Sequence, residues 1–296
     1  MLVSTHGLVW RPAPGWPDSP PGWVPPDGWN PPADWPPAPA DWNFWAPPPP
    51  VAPIEPVELT RAGLVLETRL VIIAGLFPWI ASAIVILVAH LDTGNGLTQL
   101  PSITPQQPVL NVILGILAYL PTAAVVPLTL LLLYRTGQRP SSLGLTRLRW
   151  NDFWAGVGLA AAAFGCELIV IIVLAPLEHS RLMNTAGRLH VPVYYLIIAL
   201  SMALTTAVAE EVIVNGYLLT RLEQLGWSPA RSFWLSLALR TSYHLYYGIA
   251  VVFTVPFGWL VTRSFQKHRK LCRPILAHFL FDSTAFTIAI LTAAHH

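Results

Sequence analysis

From Val57 onward the chain alternates long apolar runs with short charged loops, and each run approaches the roughly 20 residues that a helix needs to cross a bilayer. Seven such runs are predicted, or at most eight, at 68 to 91, 108 to 134, 153 to 176, 191 to 220, 231 to 248, 249 to 265 and 275 to 294. The fifth and sixth abut near Gly248, and each is short for a full crossing. The expected fold class is all-α, a polytopic transmembrane helix bundle. A small-residue stretch in the third run, GVGLAAAAFG, suits close packing of one helix on another.

Before Val57 the pattern changes character. Residues 1 to 56 hold 18 of the 30 prolines and 7 of the 13 tryptophans, with Trp10, Trp16, Trp23, Trp29, Trp35 and Trp42 recurring every six or seven positions. Proline at that density removes backbone donors and blocks helix, so the expectation is an extended or disordered low-complexity tail. Indole rings favour the membrane interface, so a tail of this kind either rests on the membrane surface, binds a cytoplasmic partner, or serves only as a flexible leader. Met1 to Trp10 lacks the basic n-region and apolar stretch of a secretory signal.

Composition supports the membrane reading and excludes others. The chain is 54% hydrophobic and 11% charged, against about a quarter charged in soluble domains. The net charge of +2 is small and the basic residues fall in loops rather than along one face, so no nucleic-acid footprint exists. Cys166 and Cys272 form neither a disulfide framework nor a metal-ligand spacing. Arginines and lysines gather before the first run and after the second, fourth and sixth, among them Arg135, Arg149, Arg221, Arg231 and Lys270. Such clustering marks the cytoplasmic side, so a multi-pass cell-membrane protein with its N-terminus inside and its C-terminus outside is expected.

Three runs carry charge where lipid should be, at about 2.5 to 3.5 kcal/mol for each side chain near a helix centre. The fourth contains AVAEEVIVNGYLLTRL, with adjacent Glu210 and Glu211 and then Asn215. In the fifth, Arg240 and His244 stand four residues apart and share a face, as do His278 and Asp282 in the seventh. Turning all three polar faces toward one interior point is the economical packing. The first three helices read as scaffold. At such a point a buried glutamate beside a cation suits activation of water. His244 and His278 suit hydrogen bonding to an oxyanion or metal ligation, and Asp282 suits orientation of His278. A network that only locks helices together and a proton or ion relay use the same residue types, so the residues alone leave these open. Tyr217, Tyr243, Tyr246 and Tyr247 read as packing or interfacial residues, with Tyr243 near enough to His244 to line the cavity. His90, His179, His190, His268, His295 and His296 read as solvated.

These three motifs, in this order, resemble the CPBP family of intramembrane endopeptidases, also called the CAAX-protease or Abi family, over roughly Val191 to Phe286. SSLGLTR at 141 to 147 is similar to that family's loop entering the preceding helix. The resemblance implies that Glu210 is the water-activating base, Glu211 its supporting acid, His244 an aid to the water, and His278 with Asp282 the oxyanion pair. It also implies a membrane-embedded or lipidated protein or peptide as substrate. A divalent metal such as zinc would draw on Glu210, His244 and His278. Without an HExxH helix there is no zincin signature, and a metal-independent, glutamic mechanism is the expectation.

Two positions depart from the family's pattern. Asn215 stands where an arginine is usual, and Arg240 where an aromatic residue precedes the histidine. Both departures are accounted for if the guanidinium has changed helices, so that Arg240 neutralises Glu211 from across the interface. The expected organisation is a tail at 1 to 56, three scaffold helices over 57 to 190 and a catalytic core over 191 to 296. The expected function is hydrolysis of a peptide bond beside the membrane. The alternatives are an inactive relative that binds a membrane or secreted peptide for export or immunity, and a proton-coupled transporter.

Overall fold

The computed structural model describes residues 8–20, 23–47, 57–93, 109, 112, 113, 116, 119–178, 195–246, 251, 252 and 254–294. The opening of the second predicted run, most of the loop at 177 to 190, Tyr247, Gly248, His179, His190, His295 and His296 lie outside the described residues. The chain divides into two compact units, Met1–Ile54 and Glu55–His296.

The second unit is a helix bundle, as the apolar runs predict. Its helices among the described residues are α1 (Arg61–Thr93), α2 (Leu120–Arg135), α3 (Trp150–Glu178), α4 (Tyr195–Gln224), α5 (Pro229–Ser242), α6 (Thr254–His268) and α7 (Cys272–Ala294). Arg61–Val88, Trp150–Val170 and Tyr195–Gln224 are long and apolar enough to cross a membrane. Large apolar side chains such as Ile73, Phe77 and Val85 of α1, and Ile169, Ile172 and Val173 of α3, stand exposed on the bundle's outside, where lipid supplies their apolar surroundings.

The fifth and sixth predicted runs need correction. α5 has 14 residues and α6 has 15, about 21 and 22 Å of helix at 1.5 Å per residue, against about 30 Å of hydrocarbon. α5 ends at Ser242 rather than continuing to Gly248, and α6 begins at Thr254. The helix starts and stops have local causes. Pro121 lies in the first turn of α2, and Ser228 caps α5 by accepting from the Arg231 N–H, with Pro229 following. α2 and α4 both stop at a left-handed glycine, Gly137 and Gly226. In each case the next N–H closes back five residues, Gln138 to Leu133 and Trp227 to Leu222, which is the Schellman arrangement.

α4 is interrupted. Over Glu211–Leu218 its backbone is π-helical, and every residue of that stretch is buried. Gly216 lets neighbouring segments pack closely on this stretch: a Cβ there would meet Leu271 Cδ1 at 2.6 Å and the Leu143 carbonyl at 3.3 Å. The same region anchors a loop-on-loop contact, in which the Leu271 N–H donates to the Gly144 carbonyl. Gly144 itself is left-handed, at φ 80°, and touches the backbone of Arg269, at φ 53°. The main core forms around Leu76, Leu133, Leu143, Ile213, Phe265 and Leu271. A second cluster joins α3, α6 and α7 through Ala160, Ala163, Phe257, Val261 and Ala277. The small residues of the third run serve this packing: a Cβ on Gly156 would stand 2.9 Å from Leu276.

α1 and α3 do more than act as uncharged scaffold. Glu67 of α1 forms an ion pair of 2.6 Å with Arg221, whose side chain is fully buried in the last turns of α4, and it also accepts from the Tyr217 hydroxyl at 2.6 Å. Arg221 is therefore a buried partner, where the loop pattern made it a solvated cytoplasmic cation. Asp152 at the start of α3 is likewise buried and pairs with Lys270 and Arg273.

The first unit corrects the expectation of a disordered tail. Five tryptophan backbone N–H groups, those of Trp16, Trp23, Trp29, Trp35 and Trp42, each donate to the carbonyl three residues earlier at 3.0 Å. The acceptor is proline in all but the first, so the repeat is a train of Pro-x-x-Trp turns. Two of them place a left-handed glycine before the tryptophan, Gly15 at φ 84° and Gly28 at φ 79°, as a type II turn requires. The rings then pack on one another. Trp10 stacks on Phe44 at 5.0 Å and meets Trp23, Trp29 and Trp45 edge to face. The antiparallel pair β1 (Val9–Trp10) and β2 (Trp45–Ala46) closes the unit. Aromatic packing thus replaces the helical or strand periodicity that such a sequence lacks.

Candidate active site

α4, α5 and α7 bring the predicted polar residues to one buried point. Glu210 ends the first α-helical part of α4, Glu211 opens its π-helical part, and Asn215 lies in the middle of that part. Arg240 lies in the last turn of α5, and His278 and Asp282 lie one turn apart on α7. Glu211, Asn215 and Arg240 are at most 1% exposed, and Glu210 and His278 at most 5%.

Arg240 is the centre of the arrangement. Its Nη1 is 3.2 Å from Glu210 Oε2 and its Nη2 is 2.8 Å from Glu211 Oε1, so one guanidinium faces both carboxylates. The first contact is a directed hydrogen bond; the second is an ion contact without hydrogen-bond alignment. Asn215 donates from Nδ2 to Glu211 Oε2, and its carbonyl oxygen accepts from Ser236 at 3.4 Å. Asn215 thus bridges Glu211 to α5, in the position where the family's pattern has a cation. The Arg240 stem passes over Gly258 of α6, where a Cβ would lie 2.8 Å from Arg240 Cδ and 2.9 Å from Leu237 Cδ1.

Tyr243 joins the cluster. Its hydroxyl donates to Glu210 Oε2 at 2.5 Å, the same oxygen that faces Arg240. Among the described residues no hydrogen bond reaches Glu210 Oε1. His278 lies between two carboxylates, with Nδ1 2.9 Å from Glu211 Oε1 and Nε2 3.4 Å from Asp282 Oδ2. Phe257 packs edge-on against the His278 ring at 4.9 Å. The Asp282 side chain is partly exposed, at 23%, and its Oδ2 also lies 3.5 Å from the Thr206 hydroxyl.

His244 sits just past the end of α5, with Nδ1 2.9 Å from the Arg240 carbonyl and its ring 4.7 Å from that of Tyr243. It stands beside the cluster rather than within the ion-paired core. Among the described residues no three His, Cys, Asp or Glu side chains come together as metal ligands, so Glu210, His244 and His278 do not form the set that a metal would draw on. A guanidinium already faces both glutamates.

Reading by residue type missed Glu67 and Glu167. Glu67 sits beside the basic start of α1, where an acid looks solvated. Glu167 of α3 is half-buried and within electrostatic reach of Asp282. It follows Phe164 by one turn, and Phe164 stacks on Phe281 at 4.5 Å. An acid inside an apolar run is the signal that could have found it.

Fold and site define a helical membrane protein with a buried glutamate, arginine and histidine centre shared by three helices. Residues 192–284 match the family model of the Rce1-like proteins, described as type II CAAX prenyl endopeptidase Rce1-like. This is the family that the three motifs resemble, and the match supports a membrane-bound protease in the general sense. Comparisons with curated proteins and with solved structures give no match to the chain.

Proposed function

We propose that this protein is an intramembrane endopeptidase, with Glu210 as the base that activates water for attack on a peptide bond of a membrane-associated, prenylated substrate. The observation that carries the proposal is the asymmetry of Glu210. Oε2 is held by Tyr243 and Arg240, which leaves Oε1 as the oxygen for a water molecule. In the proposed reaction the water oxygen bonds to the carbonyl carbon as its proton passes to Glu210. The carbonyl electrons move to oxygen, and the His278 Nε2–H, whose contact with Asp282 is long at 3.4 Å, receives that charge while Nδ1 stays against Glu211. Collapse of the tetrahedral intermediate breaks the C–N bond, and the leaving amine takes the proton back from Glu210.

The other residues position these two. Arg240 and Asn215 hold Glu211, Glu211 holds His278 through Nδ1, and Asp282 faces the ring's other nitrogen before substrate enters. His244 borders the cavity and orders the attacking water. In this reading α4 to α7 are the catalytic core, and the protein is a multi-pass protein of the cell membrane with its N-terminus inside.

The test is cleavage of a farnesylated CAAX-type peptide by the full chain in detergent micelles, read by mass spectrometry. Glu210→Gln should reduce the rate by about 10³-fold or more while leaving the unfolding midpoint close to that of the parent. A parent protein that binds the peptide without cutting it, with binding unchanged in Glu210→Gln, would establish the non-catalytic relative instead.

A further inference from the structure

The Met1–Ile54 unit takes no part in the chemistry above, yet its packed rings leave an open cleft of about 480 Å³, within the usual range for a ligand site. Its walls include Trp10, Trp16, Trp29, Trp35 and Phe44, with several prolines between them and Asp27 at the side. Three features indicate what the cleft accepts.

The first is its relief. Trp16 and Trp29 meet at 66°, and Trp29 and Trp35 at 61°, so the walls are ridges and slots rather than the single flat platform that suits a sugar ring. A polyproline II segment presents a flat pyrrolidine ring every third residue and keeps its carbonyls free, and aromatic ridges grip such segments. The second is a precedent inside the unit. Trp16 Nε1 donates to the Pro36 carbonyl at 2.7 Å, while Pro36 Cγ lies 3.1 Å from where a Cβ of Gly15 would be. The unit therefore already holds one of its own prolines by an indole N–H, with the proline ring close against the Gly15 backbone. Among the described residues the Trp29 and Trp35 indoles donate to no acceptor, so two donors of the same kind line the cleft. The third is charge. The unit carries Asp18, Asp27, Asp34 and Asp41 against Arg11 alone, and its one cation already lies over Trp42 at 4.0 Å. An acidic aromatic cleft favours a cationic partner and opposes an anionic lipid surface.

We propose that the N-terminal unit is a recognition module for proline-rich segments carrying arginine or lysine. Prolines seat between the tryptophan ridges, the Trp29 and Trp35 indoles donate to the segment's carbonyls, and Asp27 meets its basic side chain. The module acts by tethering a partner protein to the membrane enzyme. The chain's own proline-rich stretch at 47 to 56 carries Glu55 and no base, so that stretch of a second copy lacks the cation the cleft favours.

The experiment uses the full chain in detergent micelles and a fluorescein-labelled decapeptide, PPRPPPRPPP, followed by anisotropy. Saturable binding is expected, weakened about tenfold by Trp29→Ala and about threefold to tenfold by Asp27→Asn, and weakened also by salt. The peptide PPEPPPEPPP should bind at least tenfold less well, and so should GSRGSGRGSG, which keeps the charges without the prolines. Near-UV circular dichroism checks that each variant keeps its tryptophan packing. If Trp29→Ala loses it, Asp27→Asn and the two control peptides decide. Equal binding of the glycine-serine peptide would overturn the proposal in favour of charge alone, and absence of saturable binding would overturn it outright. Uptake onto phosphatidylglycerol vesicles that is lost in Trp29→Ala would overturn it in favour of membrane docking, and self-association lost in that variant in favour of a second copy.

Discussion

Gly258→Ala tests the ion-paired centre without altering any charged group. The added methyl would stand 2.8 Å from Arg240 Cδ, whereas carbon atoms settle at about 3.5 Å or more, so the arginine stem must retreat by about 0.7 Å. If the guanidinium moves with it, its contacts of 2.8 Å with Glu211 and 3.2 Å with Glu210 lengthen to about 3.5 and 3.9 Å. At an effective dielectric of about 20 that change forfeits about 2 kcal/mol across the two contacts. Alanine in place of glycine returns about 0.5 to 1 kcal/mol of helix propensity. The net loss of stability is then about 1 to 1.5 kcal/mol. Cleavage can fall by up to about thirtyfold if the whole 2 kcal/mol appears in the transition state. Repeating the substitution with Arg240→Ala isolates the arginine's share, because the clashing stem is then gone and only the Leu237 Cδ1 contact at 2.9 Å remains, so Gly258→Ala should cost clearly less there than in the parent. Denaturation midpoints and kcat/KM on the farnesylated peptide, measured for all four proteins, close the cycle. A coupling below about 0.5 kcal/mol in both would refute the reasoning, since independent sites add to within that margin.

Other contacts lead to further expected outcomes. Arg240→Phe leaves two buried carboxylates without their shared cation and should cost about 3 to 5 kcal/mol; adding Asn215→Arg should restore part of both stability and cleavage, read by unfolding in micelles and by peptide assay. Glu67→Gln strips a fully buried Arg221 of its charged partner and should destabilise by about 3 to 5 kcal/mol, whereas Glu67→Gln with Arg221→Met should be less harmful than the single change. Gly144→Ala must hold φ near 80° with its methyl 2.8 Å from the Arg269 carbonyl, so a loss of about 2 kcal/mol or more is expected in the same unfolding assay.

How much could be read from the sequence was set by how unusual each residue is where it stands. Glu210, Glu211, Arg240, His278 and Asp282 interrupt apolar runs, and a charge in hydrocarbon must find partners, so their convergence was legible from the chain alone. Arg221 was not, because it lies near the end of a run among other cations, where the loop pattern makes it a solvated marker of sidedness. Only its pairing with Glu67, 154 positions away, makes it a core residue. The boundary between α5 and α6 was blurred because hydropathy continues across Ser242, while the helix stops there for reasons of local geometry. The N-terminal fold escaped for a different reason. Proline abundance argues against helix and sheet, and it hides turns that need neither. The Trp spacing was visible, but its meaning depends on a carbonyl three residues earlier and on rings that meet only after the turns close.

The π-helical stretch from Glu211 to Leu218 carries a consequence for how α4 tolerates change in length. Hydrogen bonds there reach one residue farther than in an α-helix, so the stretch absorbs an extra residue without turning the remainder of the helix by the usual 100°. On one side of it Glu210 meets Arg240 and Tyr243, and on the other Arg221 meets Glu67. Each end of the helix therefore keeps its own angular phase, and the wide turns between them reconcile the two. A residue gained or lost in an ordinary helix would break one set of partners; here the surplus residue is what lets both sets coexist.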